Sequence, residues 1–286
     1  MTIENRILNI ACIGSTVHLP EFAWQTEAYC VRLVIVDKGR LSDELLTFCL
    51  TRGIQFFEVD SSREVESILD RHQIDFCLML SFGKLIHQSC IKKYKIYNIH
   101  TSLLPMYRGR HPTYWATVND ERRLGVTLHC INENIDEGVM ISQYSIPYFF
   151  WENENDIMRK LLWKIPELLL DLNEYLRTGR QNICDMRSEN SSYQKPVTEL
   201  DYEIKYDDKF STVFNKIRAQ VKFKGAFIRS SDSKIWLKKM NFTRPVSITP
   251  NFIKNGEFLI RNENIYIGFN KEYLIKSADY YLERVV

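Results

Sequence analysis

Apolar runs of five to nine residues alternate with amphipathic stretches through the first part of the chain. "RILNIACIG" is a short apolar run closing in Gly14, Ser15 and Thr16, which predicts a strand ending in a turn. Residues 21–29 predict a short helix, and "CVRLVIVD" a second strand ending in Asp37. Ser42 stands where a helix cap should, ahead of an apolar side made by Leu45, Leu46, Phe48 and Cys49. A short strand "IQFFEV" follows, then a helix near 62–72 with Val65, Ile68 and Leu69 inward, then the strand "FCLML". Strand–helix–strand at this spacing implies parallel pairing with right-handed crossovers.

The predicted fold class is therefore α/β, with an open, Rossmann-like, mostly parallel sheet. Gly14 stands alone after the first strand, without the G-x-G-x-x-G that would clamp a dinucleotide. After residue 125 the pattern changes. "GVTLHCI" predicts another strand, "NENIDEGVMISQYSIPY" a loop and a further strand, and residues 157–176 a helix that Pro166 kinks or splits. Residues 180–200 are polar and predict a linker. Beyond them a helix at 211–219 precedes short alternating runs, "KIWLKKM", "GEFLIRN", "NIYIGF" and "EYLIKS", the pattern of a small antiparallel β module. The expected domains are 1–195, catalytic, and 196–286, β-rich.

Charge adds one feature. Residues 187–286 hold 18 Lys and Arg against 12 Asp and Glu, so the second part is mildly basic. That surplus could meet an anionic substrate, but an ordinary solvated surface is the readier account of it. A net charge of +2 over 286 residues argues against a protein built mainly to neutralise nucleic-acid phosphates. The seven cysteines include no C-x-x-C pair and sit mostly in apolar runs, as buried reduced thiols do. No signal-like start or membrane-length apolar run is present, and the expected location is the cytoplasm.

Candidate chemistry lies in "IYNIH". In open α/β sheets the site lies beyond the carboxyl ends of the strands, and the i, i+2 spacing of Asn98 and His100 turns both side chains to one face. An imidazole exchanges protons near neutral pH, and an amide can hydrogen-bond a developing oxyanion. Together they suit acyl transfer. Asp136, in a loop after the next strand and expected at the same edge of the sheet, is the candidate to orient or charge the histidine.

The ordered string "NIHTSLLPMYRG", "GVTLH" and "DEG", with 38 positions from Asn98 to Asp136, resembles the folate-dependent formyltransferase family. The weaker strings "SFGKLIHQSCI" and "VFNKIRAQVKFKGAFI" extend the resemblance over about 75–230. It implies N10-formyltetrahydrofolate as formyl donor, no metal, and an uncharged primary amine as acceptor. Asn98 would hold the oxyanion, and His100 would assist and move a proton. Asp136 would pair with His100 or take the amine's proton through water. Residues 102–105 would be the frame of the strand end. The pterin would lie against Gly83, Lys84, Leu85 and Ile86 and against Asn132, Glu133, Asn134 and Ile135. Lys84 reads equally as a surface lysine.

Within the family, "YRGRHPTYW" resembles the nucleotide-sugar N-formyltransferases. This implies a dTDP-4-amino-4,6-dideoxyhexose acceptor, less favourably a UDP- or GDP-linked one, in surface-polysaccharide or O-antigen assembly. Arg110 and Pro112 would shape its pocket, and Trp115 would stack on the ligand or belong to the core. Methionyl-tRNA is the alternative acceptor. A non-catalytic folate or nucleotide binder and an RNA-binding C-terminal module are alternatives of other classes. Unpaired edges in the β module also allow a homodimer.

Overall fold

The computed structural model describes residues 6–183, 191–220, 224–243, 255, 257–269 and 273–284. Five apolar runs of the first hundred residues form strands β1 (Leu8–Ile13), β2 (Tyr29–Asp37), β3 (Gln55–Val59), β4 (Phe76–Met79) and β5 (Ile96–His100). They stand in the order 3-2-1-4-5, every pair parallel. Near-continuous burial along β1 and β2 is that of strands covered on both faces.

Local chemistry sets the crossover helices α1 (His18–Gln25), α2 (Asp43–Arg52), α3 (Ser62–Leu69) and α4 (Gln88–Lys93). The helix expected at 21–29 begins earlier, with Pro20 in its first turn, where a missing N–H leaves no bond unmade. It stops at Thr26, which is extended and leads into β2. The predicted cap at Ser42 accepts a hydrogen bond from the Leu45 amide at 3.2 Å, and Gly53 closes α2 at φ 64°, a conformation costly for other residues. Ser61 and Glu64 form a capping box on α3. Ala11, Ile13, Leu33, Ile35, Cys77 and Ile96 are part of the core under these helices.

β6 (Arg108–Gly109), α5 (Pro112–Val118), β7 (Arg123–Cys130) and β8 (Met140–Pro147) follow. β7 runs antiparallel to β5, and β8 and the short β9 (Asn182–Ile183) extend the sheet to eight strands, 3-2-1-4-5-7-8-9. Pro166 splits the expected long helix into α6 (Glu154–Leu162) and α7 (Ile165–Thr178). The polar stretch 180–200 holds β9, β10 (Tyr193–Gln194) and the start of a single 3-10 turn at Glu199–Tyr202; residues 184–190 lie outside the described residues. Among the described residues no helix is long and apolar enough to cross a membrane.

The chain divides into two compact units. One comprises Met1–Gly109, Leu124–Ile146 and Lys160–Tyr193; the other comprises Arg110–Arg123, Pro147–Arg159 and Gln194–Val286. The second contains α5, α8 (Phe210–Arg218) and two antiparallel sheets. β11 (Ala226–Arg229), β12 (Ser233–Leu237) and β17 (Tyr280–Arg284) form one. β13 (Asn241–Thr243), β14 (Phe258–Arg261), β15 (Asn264–Phe269) and β16 (Tyr273–Ser277) form the other, in the order 13-16-15-14. Alternating Ile265, Ile267 and Phe269 join Val213, Ile217, Ile235 and Leu237 in its core. The expected α/β architecture with a C-terminal β-rich part is thus the one observed.

Candidate active site

β5 ends at His100 and pairs with β7 so that Asn98 stands opposite His129 and His100 opposite Thr127. Directly opposed residues share a face, so two residues from each strand meet there. The frame beneath them is polar and closed. Thr127, fully buried, donates its hydroxyl to the Ser102 carbonyl at 2.7 Å and accepts from the Leu104 amide at 3.1 Å. The Gln143 side-chain amide reaches both the Thr127 hydroxyl and the Leu104 carbonyl at 2.9 Å. Ser102 donates to the Met106 carbonyl at 2.7 Å. A Cβ on Gly125 would lie 2.2 Å from the Leu103 side chain, so only glycine lets Leu103 seat. These bonds fix the strand end that carries His100.

One sequence expectation needs correction. β7 is antiparallel, so its carboxyl end, Cys130, lies level with Tyr97 and not at the edge where β5 ends. Asp136 reaches His100 because the loop after β7 folds back. Gly138 permits the fold, since a Cβ there would lie 1.6 Å from the Cys130 carbonyl oxygen. The Gly109 amide then donates to Asp136 Oδ2 at 2.8 Å.

The result is a carboxylate between two imidazoles. His100 Nδ1 lies 3.5 Å from Asp136 Oδ2, and His129 Nε2 lies 3.4 Å from Asp136 Oδ1. Burial alone would raise the Asp136 pKa. The bond from His129, the charge of His100 and the Gly109 amide outweigh it and hold the group at about 2. His100 is shifted downward from 6.5 by burial, opposed by Asp136 and the Tyr107 carbonyl and aided by His129. It is therefore neutral at pH 7, beside an ionised carboxylate.

The tautomer follows from the partners. His100 Nε2 lies 2.8 Å from the Tyr107 carbonyl, which can only accept, so Nε2 carries the proton of the neutral ring. Nδ1 is then the basic nitrogen, facing Asp136. A proton arriving at Nδ1 creates an imidazolium that the carboxylate attracts. His129 Nε2 is also 3.1 Å from Asn98 Nδ2. The same nitrogen thus lies within reach of both the Asn98 amide and the Asp136 carboxylate. His129 was not singled out from the sequence. It was legible in "GVTLH", two residues beyond Thr127 on the strand facing β5.

Of the proposed donor-binding residues, Gly83 and Lys84 are held by a buried carboxylate. Asp37, at the end of β2, accepts from the Gly83 amide at 2.6 Å and from Lys84 Nζ at 2.5 Å. Lys84 is an internal brace of the loop after β4, which decides against a plain surface lysine. Leu85 is 70% exposed and Ile86 is buried in the core. In the second loop the Asn132 side chain accepts from the Asn134 amide at 3.0 Å and donates to the Glu137 carbonyl at 3.2 Å. Glu133 pairs with Lys92 at 3.4 Å, and Ile135 is exposed. Arg108 pairs with Glu137.

The proposed acceptor residues belong to the second unit. Arg110 is exposed and Pro112 is buried at the start of α5. Trp115 is half-buried; its indole N–H donates to the Lys195 carbonyl at 2.9 Å, and the Lys195 ammonium lies 5.6 Å from its ring centroid. Its polar edge is thus occupied within that unit.

Residues 54–171 match the profile of the formyl transferase family. This stretch is a formyl transferase domain. It contains the Asn98, His100, His129 and Asp136 group. The bifunctional polymyxin resistance protein ArnA of Wigglesworthia glossinidia brevipalpis is 31% identical over 195 residues, covering 67% of this chain and 30% of that protein. The chain thus spans less than a third of that relative. A methionyl-tRNA formyltransferase of Thermotoga neapolitana is 26% identical over 237 residues, 76% of each chain. Among solved structures, an N-formyltransferase of Helicobacter canadensis, in complex with folinic acid and dTDP-3-aminofucose, superposes with a TM-score of 0.67 at 21% identity. The match covers 96% of this chain and 100% of that one.

Proposed function

We propose that this chain is an N-formyltransferase that uses N10-formyltetrahydrofolate and acts on the primary amine of a nucleotide-linked amino-dideoxyhexose. The observation that carries the reading is the Asn98–His100–Asp136 group at the end of β5, inside a formyl transferase domain. The donor set fits acyl transfer: an amide N–H source, a neutral imidazole and an ionised carboxylate. When bound, the folate supplies an activated formyl group.

Asn98 Nδ2 donates to the oxygen that becomes negative as the amine attacks. His100 Nδ1 takes the proton the amine releases. Asp136 holds that proton's charge on the ring and keeps the ring oriented, with the Tyr107 carbonyl fixing Nε2 on the other side. The protonated His100 then returns the proton to the departing nitrogen. The loop 83–86, braced by Asp37, and the loop 132–135 are the proposed walls for the pterin, and Arg110, Pro112 and Trp115 the proposed acceptor side. Residues 1–195 serve as the catalytic part and 196–286 as its β-rich companion.

The sugar acceptor is favoured by the string "YRGRHPTYW" and by the fold likeness to the Helicobacter canadensis N-formyltransferase, whose complex holds dTDP-3-aminofucose. Such an acceptor places the enzyme in the cytoplasm, in surface-polysaccharide assembly. The test is formyl transfer from N10-formyltetrahydrofolate to a panel of dTDP-, UDP- and GDP-linked 3-amino and 4-amino dideoxyhexoses and methionyl-tRNA. Turnover of a nucleotide amino sugar alone supports the reading. Turnover of tRNA alone replaces the acceptor and leaves the catalytic group standing. No turnover of any acceptor overturns it.

A further inference from the structure

The second unit carries a feature that the formyl-transfer chemistry does not use. A cavity of about 870 Å³ is lined by residues of the loop after β8, of α8 and of the C-terminal strands. Its size is that of a small-molecule site. Its wall combines an aromatic surface with cations.

The aromatic part is Trp151. It is 62% exposed. Its ring lies parallel to Phe149 at 4.7 Å between centroids, and Phe150 meets it edge-on at 5.1 Å. Phe150 in turn approaches Phe214 of α8, which lines the same cavity.

Lys238, Lys239 and Lys276 provide the cations. Lys238 and Lys276 are half-buried. Lys216 and Lys234 of the same unit pair with Asp208 and Glu199. Lys238, Lys239 and Lys276 have no carboxylate within ion-pair distance among the described residues. Among the described lining residues Asp279 is the one carboxylate, so the lysines outnumber it by two. Lys276 stands opposite Asn241 and Tyr266 in the sheet, its ammonium 5.7 Å from the Tyr266 ring centroid. The floor is built: Arg218, almost fully buried, donates to the Asn215 side chain at 2.8 Å and the Glu152 carbonyl at 3.0 Å. It thereby ties the Trp151 loop to α8. Lysines without a carboxylate partner among the described residues, on a wall shared with an exposed indole, suit a ligand with a flat ring and several negative charges.

We propose that this cavity binds a nucleoside diphosphate, with the base on Trp151 and the phosphates on Lys238, Lys239 and Lys276, as a site additional to the one around His100. The concave wall and its limited volume favour a mononucleotide over a nucleic-acid strand. The site does not depend on which amine receives the formyl group.

The test is calorimetric titration of the full chain with dTDP, ADP, inorganic pyrophosphate and a single-stranded oligoribonucleotide, in the parent and in Lys238→Ala, Lys276→Ala and Trp151→Ala variants. Circular dichroism and thermal melting check that each variant is folded. Each lysine variant is expected to weaken nucleotide and pyrophosphate binding about tenfold, the loss of roughly one charge-assisted bond. Trp151→Ala is expected to weaken nucleotides and leave pyrophosphate unchanged, and quenching of tryptophan fluorescence by nucleotide should fall in that variant. Formyl transfer to a saturating acceptor should stay at the parent level in each variant. Nucleotide binding that survives the Lys238→Ala/Lys276→Ala double variant undiminished would assign all of it elsewhere and overturn the proposal. So would tighter binding of the oligoribonucleotide than of any mononucleotide.

Discussion

Asp136→Asn isolates what the carboxylate does, because the change keeps shape and removes charge. The amide oxygen can still accept from the Gly109 N–H, so the folded-back loop should hold. The lost quantity is attraction for a proton on His100 Nδ1, 3.5 Å away. Two unit charges about 4 Å apart in surroundings of effective dielectric about 20 attract by about 4 kcal/mol. Every ~1.4 kcal/mol is tenfold in rate, so the upper bound is about a thousandfold, and we expect at least a hundredfold loss of turnover. The pH behaviour has a definite sign. Asp136 raises the His100 pKa against the lowering by burial, so its neutralisation lets that pKa fall further. The acid limb of activity contributed by His100 should therefore move to lower pH, and NMR titration of the imidazole follows it directly.

Stability supplies a second readout. Asp136 drops from 3.8 to about 2 on folding, which corresponds to about 2 kcal/mol. Because the folded value is the lower one, this contribution is present above pH 3.8 and lost as pH falls toward 2. Urea unfolding should show the variant less stable by about this amount at pH 7, with the difference closing in acid. His100 acts in the same direction: its folded pKa lies below 6.5, so it favours the folded state above that pH and disfavours it below. Turnover within tenfold of the parent, or an acid limb that moves upward, would refute the assignment of Asp136 as partner of His100.

His100→Ala and Asn98→Ala should each lower formyl transfer at least about a hundredfold with unchanged circular dichroism, the scale of a proton-transfer or oxyanion group; near-parent turnover in either would remove it from the mechanism. Thr127→Val strips a fully buried hydroxyl from three partners and leaves the Leu104 amide and Ser102 carbonyl unpaired, at about 1–3 kcal/mol each; a urea-derived loss under 1 kcal/mol would mean that the frame relaxes. Asp37→Asn removes the charge that fixes Lys84 and should raise the KM for the formyl donor about tenfold while kcat changes little, a split that contacts worth about 1.4 kcal/mol predict. An unchanged KM would separate that loop from donor binding.

The parallel half of the fold was readable because each strand is a run of apolar residues bounded by a turn or a cap, and Ser42 and Gly53 mark helix ends by their own chemistry. The direction of β7 was not. "GVTLHCI" has the same alternation whether it runs with β5 or against it, since period-two patterning carries no sense of direction. The consequence was a wrong edge for the end of β7. Asp136 nevertheless reaches His100, through a reversal that depends on the close approach of Gly138 to a carbonyl, which no periodicity reports. Lys84 shows the same limit. Its partner, Asp37, is 47 positions away, and only the β2–β1–β4 strand order puts the two loops together.

The leucines and glycines of the family string have a physical reading once the strand pairing is known. An imidazole that must offer Nδ1 at one place needs its ring fixed from both sides, and Tyr107 and Asp136 supply those contacts from two separate loops. Each loop must then be anchored to the same strand pair. Residues 102–104 are bonded to Thr127, and Gly125 leaves room for Leu103. The Gly109 amide closes the circuit by gripping Asp136 itself. A substitution in this frame should therefore act on kcat through the tautomer and pKa of His100, without touching a substrate. Gly109→Ala is the sharpest case, because the backbone there has φ 93° and a side chain would be strained. We expect it to shift the His100 titration and lower turnover while donor affinity, read by direct binding, stays near the parent value. An unshifted titration with lost turnover would place Gly109 on the substrate side instead.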